Sequence, residues 1–151
     1  MNIKEINLNN LELKTFTEQD AEDYCQINNI NINNIVFLDL RYNELIDISG
    51  IKLFKNLQYI YLHNNKIADI SVLKDLTRLE ILDIGNNKIT DISDVKKLNS
   101  LYLLYIDNLK LKSDQIEYIN SLNNLKELWC RKGFKDMRIL KQLNKNIKLY
   151  K

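Results

Sequence analysis

Residues 35–100 fall into three consecutive units of 22 residues with one shared apolar spacing. They read IVFLDLRYNELIDISGIKLFKN, LQYIYLHNNKIADISVLKDLTR and LEILDIGNNKITDISDVKKLNS. A fourth unit, 101–124, carries two extra residues, and a fifth, 125–146, is degenerate. A short fixed period constrains the fold more than any other feature, because one such unit can bury its apolar edge only against its neighbours.

Positions 1, 4, 6, 11 and 14 of the regular units are aliphatic, as in Leu57, Ile60, Leu62, Ile67 and Ile70. Positions 4 and 6 alternate with the period of a strand. Positions 17 and 20, such as Leu73 and Leu76, have helical spacing. Each unit therefore predicts a short strand, a bend and a short helical segment. The chain has 3 Gly and no Pro, so the bends need another residue. Asn43, Asn65 and Asn87 all stand at position 9, where a buried amide can bond turn backbone. Asn64, one position earlier, is assigned no such role. In the recurring Asp-Ile-Ser of 47–49, 69–71 and 91–93, Ser is expected to cap the helical segment.

The spacing LxxLxLxxNxIxDI resembles the leucine-rich repeat family, in the 22-residue subclass of the phosphatase-1 regulatory repeat protein and bacterial internalins. Internalin repeats usually carry Pro after the DIS segment, where this chain has Gly50, Val72 and Asp94. The resemblance implies an α/β fold, a right-handed solenoid with a parallel sheet on its concave face, short convex helical segments and helical caps. The expected organisation is one domain over 1–151. Residues 1–34 form an N-cap with a divergent first repeat, in which Ile3, Ile6 and Leu8 take positions 1, 4 and 6. Residues 35–124 form four repeats, and 125–151 a degenerate repeat and C-cap. Thr15–Glu18 reads as a capping box opening a helix to about Gln26, with Phe16, Ala21, Tyr24 and Cys25 buried. Residues 27–34 read as a connector. Residues 134–145 read as a helical C-cap closed by Leu149 and Tyr150.

Positions 3, 5 and 7 of the strands face outward on the sheet. The row at position three is Glu5, Phe37, Tyr59, Ile81, Leu103 and Glu127. At position five it is Asn7, Asp39, Tyr61, Asp83, Tyr105 and Trp129, and at position seven Asn9, Arg41, His63, Gly85, Asp107 and Arg131. Six strands span roughly 25 Å. Phe37, Tyr59, Ile81 and Leu103 make an apolar stripe flanked by aromatic residues and charges, the make-up of a binding hot spot. The candidate partner-binding residues are Phe37, Asp39, Arg41, Tyr59, Tyr61, His63, Ile81, Asp83, Leu103, Tyr105, Asp107, Glu127, Trp129 and Arg131. The alternative is that these aromatics stack only to stabilise the sheet.

Charge and cysteine content narrow the function. Net charge is +2, which does not suit a general polyanion binder. The charge is uneven: 1–34 is net −4, 35–109 net −1 and 110–151 net +7. The basic end suits steering of an acidic protein partner better than binding of nucleic acid. Two cysteines, Cys25 and Cys130, make no disulfide framework and point to a reducing, cytoplasmic setting. The start of the chain has no signal-like apolar run, and no segment has the length of a membrane span. No cofactor or metal is expected, since the cysteines lie on opposite caps and the glycines are scattered. Asp39 and Asp83, with His63 near both, are a weak candidate for acid–base work, because a flat sheet offers no enclosed pocket. The expectation is a monomeric, non-enzymatic module whose concave face binds a protein partner as an intracellular regulator or adaptor. The alternatives are an internalin-like adhesin or effector, and a small bacterial inhibitor or immunity protein against a toxin or enzyme.

Overall fold

In the computed structural model, residues 4–151 are described; Ile3 lies outside them. Among the described residues, seven three-residue strands form one parallel sheet in chain order. They are β1 (Glu5–Asn7), β2 (Phe37–Asp39), β3 (Tyr59–Tyr61), β4 (Ile81–Asp83), β5 (Leu103–Tyr105), β6 (Glu127–Trp129) and β7 (Lys148–Tyr150). Each crossover returns along the opposite side through a short helical turn, so every strand meets the next in the same direction. The architecture is an α/β solenoid with a parallel concave sheet.

The repeat register is that of the sequence. The central residue of each strand from β1 to β6 is buried: Ile6, Leu38, Ile60, Leu82, Leu104 and Leu128. Behind the sheet, positions 6, 11 and 14 stack on themselves from turn to turn. Leu40, Leu62 and Ile84 are all 0% exposed. One continuous core results, closed at the start of the chain by α1 (Glu18–Ile27).

The asparagines at position 9 are rungs between turns. Asn65 Oδ1 accepts from the Leu45 amide at 3.0 Å, and its Nδ2 donates to the Leu40 and Leu62 carbonyls, both at 2.9 Å. Asn43 and Asn87 repeat the arrangement. The left-handed backbone that makes the bend sits one residue earlier. Tyr42, Asn64, Asn86, Asn108 and Lys132, all at position 8, have φ between 52° and 60°. Asn64 is therefore not a bystander: it occupies a conformation that Asn tolerates better than most residues.

Several other expectations are corrected. The capping box belongs to Thr17 and Asp20, so α1 starts at Glu18, and Tyr24 is only half-buried. The connector contains a 3-10 turn, Ile32–Asn34. The convex segments are also 3-10 turns, Ser49–Leu53, Ser71–Asp75 and Ser93–Lys97. Their serines do not cap them. The preceding aspartate does, its Oδ1 accepting the Ser amide at 47–49, 69–71 and 91–93. The carboxylate reaches two residues forward in an Asx turn, and at Ser71 the hydroxyl also donates to the Asp69 carboxylate at 3.1 Å. The far end has a 3-10 turn at Met137–Gln142 in place of a longer helix, and then β7. Leu149 and Tyr150 thus belong to a seventh strand. The extra residues of the fourth unit form a turn at Ser113–Gln115 followed by α2 (Ile116–Asn120). Its buried Gln115 accepts the Ile92 amide at 2.8 Å.

Gly50 is set by a close approach. A Cβ there would lie 2.2 Å from the Thr17 carbonyl oxygen, so only glycine lets α1 seat on the first convex turn.

Candidate functional site

Strand pairing aligns the outward rows without a slip. Phe37 pairs with Tyr59, Tyr59 with Ile81, Ile81 with Leu103 and Leu103 with Glu127. In the next row Asp39, Tyr61, Asp83, Tyr105 and Trp129 pair in turn, and β7 extends both rows with Lys148 and Tyr150. All but Asp39 and Trp129 in these rows from β2 to β6 are half-buried, packed against one another and open on the sheet side. Trp129 is 37% exposed.

The face divides into three patches. At the β2–β3 end, Tyr61 lies between Phe37, with ring centroids 5.5 Å apart, and Arg41, whose guanidinium sits 5.1 Å from the Tyr61 ring. The Arg41 position is fixed by Asp39: Nη2 donates to Oδ2 at 2.7 Å and Nε to Oδ1 at 3.0 Å. This contradicts the expectation that Asp39 stands outward. It is 1% exposed, covered by Arg41 and by the Asn9 amide. Burial opposes its ionisation, but the Arg41 and Asn9 hydrogen bonds outweigh burial and hold the carboxyl below its ordinary value.

In the middle lies a polar patch. His63 Nδ1 is 3.6 Å from Asp83 Oδ1, and its Nε2 is 3.0 Å from Asn86 Nδ2. Asn86 Oδ1 in turn accepts from Asn108 at 2.6 Å. Gly85 makes room for this line of groups, since a Cβ there would lie 2.9 Å from the His63 ring. Burial pushes the Asp83 carboxyl above its ordinary value, against the opposing pull of the Gly85 amide, His63 and Arg41. Asp107 is drawn to the rim, accepting from the Arg131 amide at 2.5 Å.

At the β6–β7 end, Trp129 is held between two rings. Tyr105 lies on one side, with centroids 5.6 Å apart and planes 23° apart; Tyr150 lies on the other, at 4.3 Å and 7°. Lys148 caps the stack, 4.8 Å from the Tyr150 ring. The sequence reading did not include Tyr150 or Lys148 in the surface. Their only signal was an alternation across three residues, too short to separate from a tail.

Chemical function is limited by this arrangement. Asp39 is committed to Arg41, so it does not stand with Asp83 as a pair of free carboxylates. Among the described residues, no group of three or more His, Cys, Asp or Glu is placed to hold a metal ion. Cys25 and Cys130 are free and buried, and burial pushes the Cys130 thiol up to about 12. No described helix is long and apolar enough to cross a membrane. What the face does offer is a large, half-open aromatic and apolar surface of fixed register. Solenoids use such concave faces for binding.

This is a leucine-rich repeat protein. Residues 33–75 and 55–97 each match the model for paired leucine-rich repeats. An internalin, InlF, from Listeria monocytogenes is 30% identical, with a TM-score of 0.69 over 78% of this chain and 35% of the internalin. The present chain therefore spans about a third of that protein's length. A leucine-rich repeat protein from Leptospira interrogans, 24% identical, has a TM-score of 0.66 over 95% of this chain and 41% of its own. The ectodomain of the receptor kinase SOBIR1 from Arabidopsis thaliana, 22% identical, has a TM-score of 0.62 over 86% of this chain and 68% of its own. The last two share the fold. No curated protein sequence matches the chain.

Proposed function

We propose that the protein is a non-enzymatic module that binds a protein partner on its concave face, acting as a cytoplasmic monomeric regulator or adaptor. The observation that carries this reading is the run of half-open aromatic and aliphatic side chains from Phe37 to Tyr150, aligned by strand pairing. Tyr59, Ile81 and Leu103 form its apolar floor, and Tyr61, Tyr105 and Trp129 its anchors. Arg41, His63, Asp83, Asp107, Glu127 and Arg131 supply orientation. Asp39 acts only through Arg41. Rigid aromatic groups ringed by charge are the usual source of interface energy. The two free, buried thiols support a reducing compartment.

The test is capture of partners by the wild type and by matched variants. Tyr61→Ala and Trp129→Ala are expected to lose the partner that Lys74→Ala and Lys96→Ala, on the convex side, retain. A partner lost from the convex variants and kept by the concave ones would overturn the reading.

A second reading is favoured by the likeness to InlF: an internalin-like adhesin or effector. A third is a small inhibitor of a toxin or enzyme. The identity of the captured partner separates them, since a host surface protein supports the second and a bacterial toxin or enzyme the third.

A further inference from the structure

The basic end of the chain has a built feature beside the concave face. Lys110, Lys132 and Lys135 rim an open groove of about 360 Å³ whose floor is the half-buried Met137 beside the edge of the buried Phe134. Backbone bonds hold the rim together: the Leu111 amide donates to Gly133, and the Lys135 amide to Leu111. All three lysines are exposed, and among the described residues no carboxylate pairs with any of them. The one acidic residue beside them in sequence, Asp136, is taken by Arg138 at 2.7 Å. Among the described residues of 110–151, that is the single ion pair within a segment of net charge +7.

Lys132 stands out for a second reason. It occupies position 8, where the backbone is left-handed and where four earlier turns place Asn and one places Tyr42. Lys132 holds φ 54° and Lys110 φ 59° without the help that an Asn side chain gives to this conformation.

We propose that this groove binds a short acidic segment of a protein partner, with carboxylates on the three lysines and an apolar side chain over Phe134 and Met137. The floor favours a peptide over a nucleic acid, because Phe134 is buried and offers no open ring face for a base to stack on, and a phosphate backbone has nothing to place on Met137. The remainder of the chain, net −5 over 1–109, would repel a longer polyanion running along the solenoid. The groove lies on the rim and shares no residue with the concave rows, so this inference stands apart from the proposed concave-face function.

The experiment is fluorescence anisotropy on the full chain with a labelled peptide of alternating glutamate and leucine. A lysine–leucine peptide, poly-uridine RNA and phosphatidylserine vesicles serve as comparison probes. Saturable binding of the acidic peptide that weakens with salt is expected, with at least about a tenfold loss in the Lys110→Glu, Lys132→Glu, Lys135→Glu triple variant. Lys132→Asn is expected to raise the melting temperature while weakening the peptide several-fold, which a lysine of purely structural use would not do. Tyr61→Ala and Trp129→Ala are expected to leave peptide affinity unchanged, so failure of the groove and failure of the concave face are read separately. Absence of saturable peptide binding, tighter binding of RNA or vesicles at the same ionic strength, or an unaffected triple variant would each overturn the proposal.

Discussion

Trp129 and Tyr150 stack with ring centroids 4.3 Å apart and planes within 7°. Trp129 thereby fastens the last strand to the sheet, besides lining its open face. Trp129→Ala should destabilise the protein by about 1–2 kcal/mol through loss of two aromatic contacts and apolar area. Trp129→Phe should recover most of this. Urea unfolding followed by far-UV circular dichroism checks it, and a loss below about 0.3 kcal/mol would show that the stack is ornamental. A binding defect at Trp129 must therefore be compared with Trp129→Phe, which keeps the fold.

The asparagine rungs and the left-handed bends should respond differently to the same substitutions. Asn65→Ala leaves the buried Leu45 amide without its acceptor and takes one of two donors from each of the Leu40 and Leu62 carbonyls, which keep Asn43 and Asn87, for a loss of about 1–3 kcal/mol. Asn64→Ala should cost about 1 kcal/mol from backbone conformation alone. Asn64→Gly should be near neutral, because glycine adopts positive φ without penalty. Asn65→Gly should be no better than Asn65→Ala. Thermal melts of the four variants decide it.

In the core, Leu62→Ala and Ile84→Ala should each cost roughly 2–5 kcal/mol, since both side chains are fully enclosed between turns. Chemical denaturation giving less than half a kilocalorie would place the repeat register in error.

Asp39 and Asp83 share a row and should answer pH in opposite ways. Asp39 has a lowered folded pKa, so its ionised form stabilises the protein above the ordinary carboxylate range. That contribution is lost as pH falls through the folded value. Asp39→Asn should therefore destabilise at neutral pH, with the gap closing in acid. Asp83 has a raised folded pKa, so its ionisation weakens the fold as pH climbs from the ordinary range through the higher folded value. Asp83→Asn keeps an acceptor for the Gly85 amide and should stabilise at neutral pH but not in acid. Unfolding curves between pH 3 and 7 on both variants test the signs.

The thiols should be silent. Cys25 and Cys130 are buried, and burial raises both thiol pKa values. Native protein should react with a thiol reagent at pH 8 far more slowly than protein in denaturant, and intact-mass measurement should show no disulfide.

Much of this architecture was legible because it is periodic. Leu62 and Ile84 recur at a fixed interval, so strand register and inward rows follow from counting. What escaped was whatever depends on a single pairing. Asp39 looks like Asp83 in the alignment of turns, yet Arg41, two residues on, folds over the one and Gly85 stands beside the other. The Asp47 carboxylate takes the Ser49 amide across two residues, whereas the shared Asp-Ile-Ser offers two capping side chains and does not by itself say which is used. Gln115 works only because the two-residue insertion carries it under Ile92. Lys148–Tyr150 has too few residues to show any period.

The asparagine rungs all reach backward. Asn43 completes the amides of Leu11 and Leu13, Asn65 that of Leu45, and Asn87 that of Ile67. No rung follows, because Leu109 and Gly133 stand at the later positions. Under mechanical load the solenoid thus has a weak end and a strong one. A chain gripped at Lys151 and drawn off the sheet would shed its last turns against strand pairing, ring stacking and scattered side-chain bonds, with no buried asparagine rung to break. It would then meet a series of equal latches, each releasing one turn. Single-molecule traces pulled from that end should rise in force once the third repeat is reached.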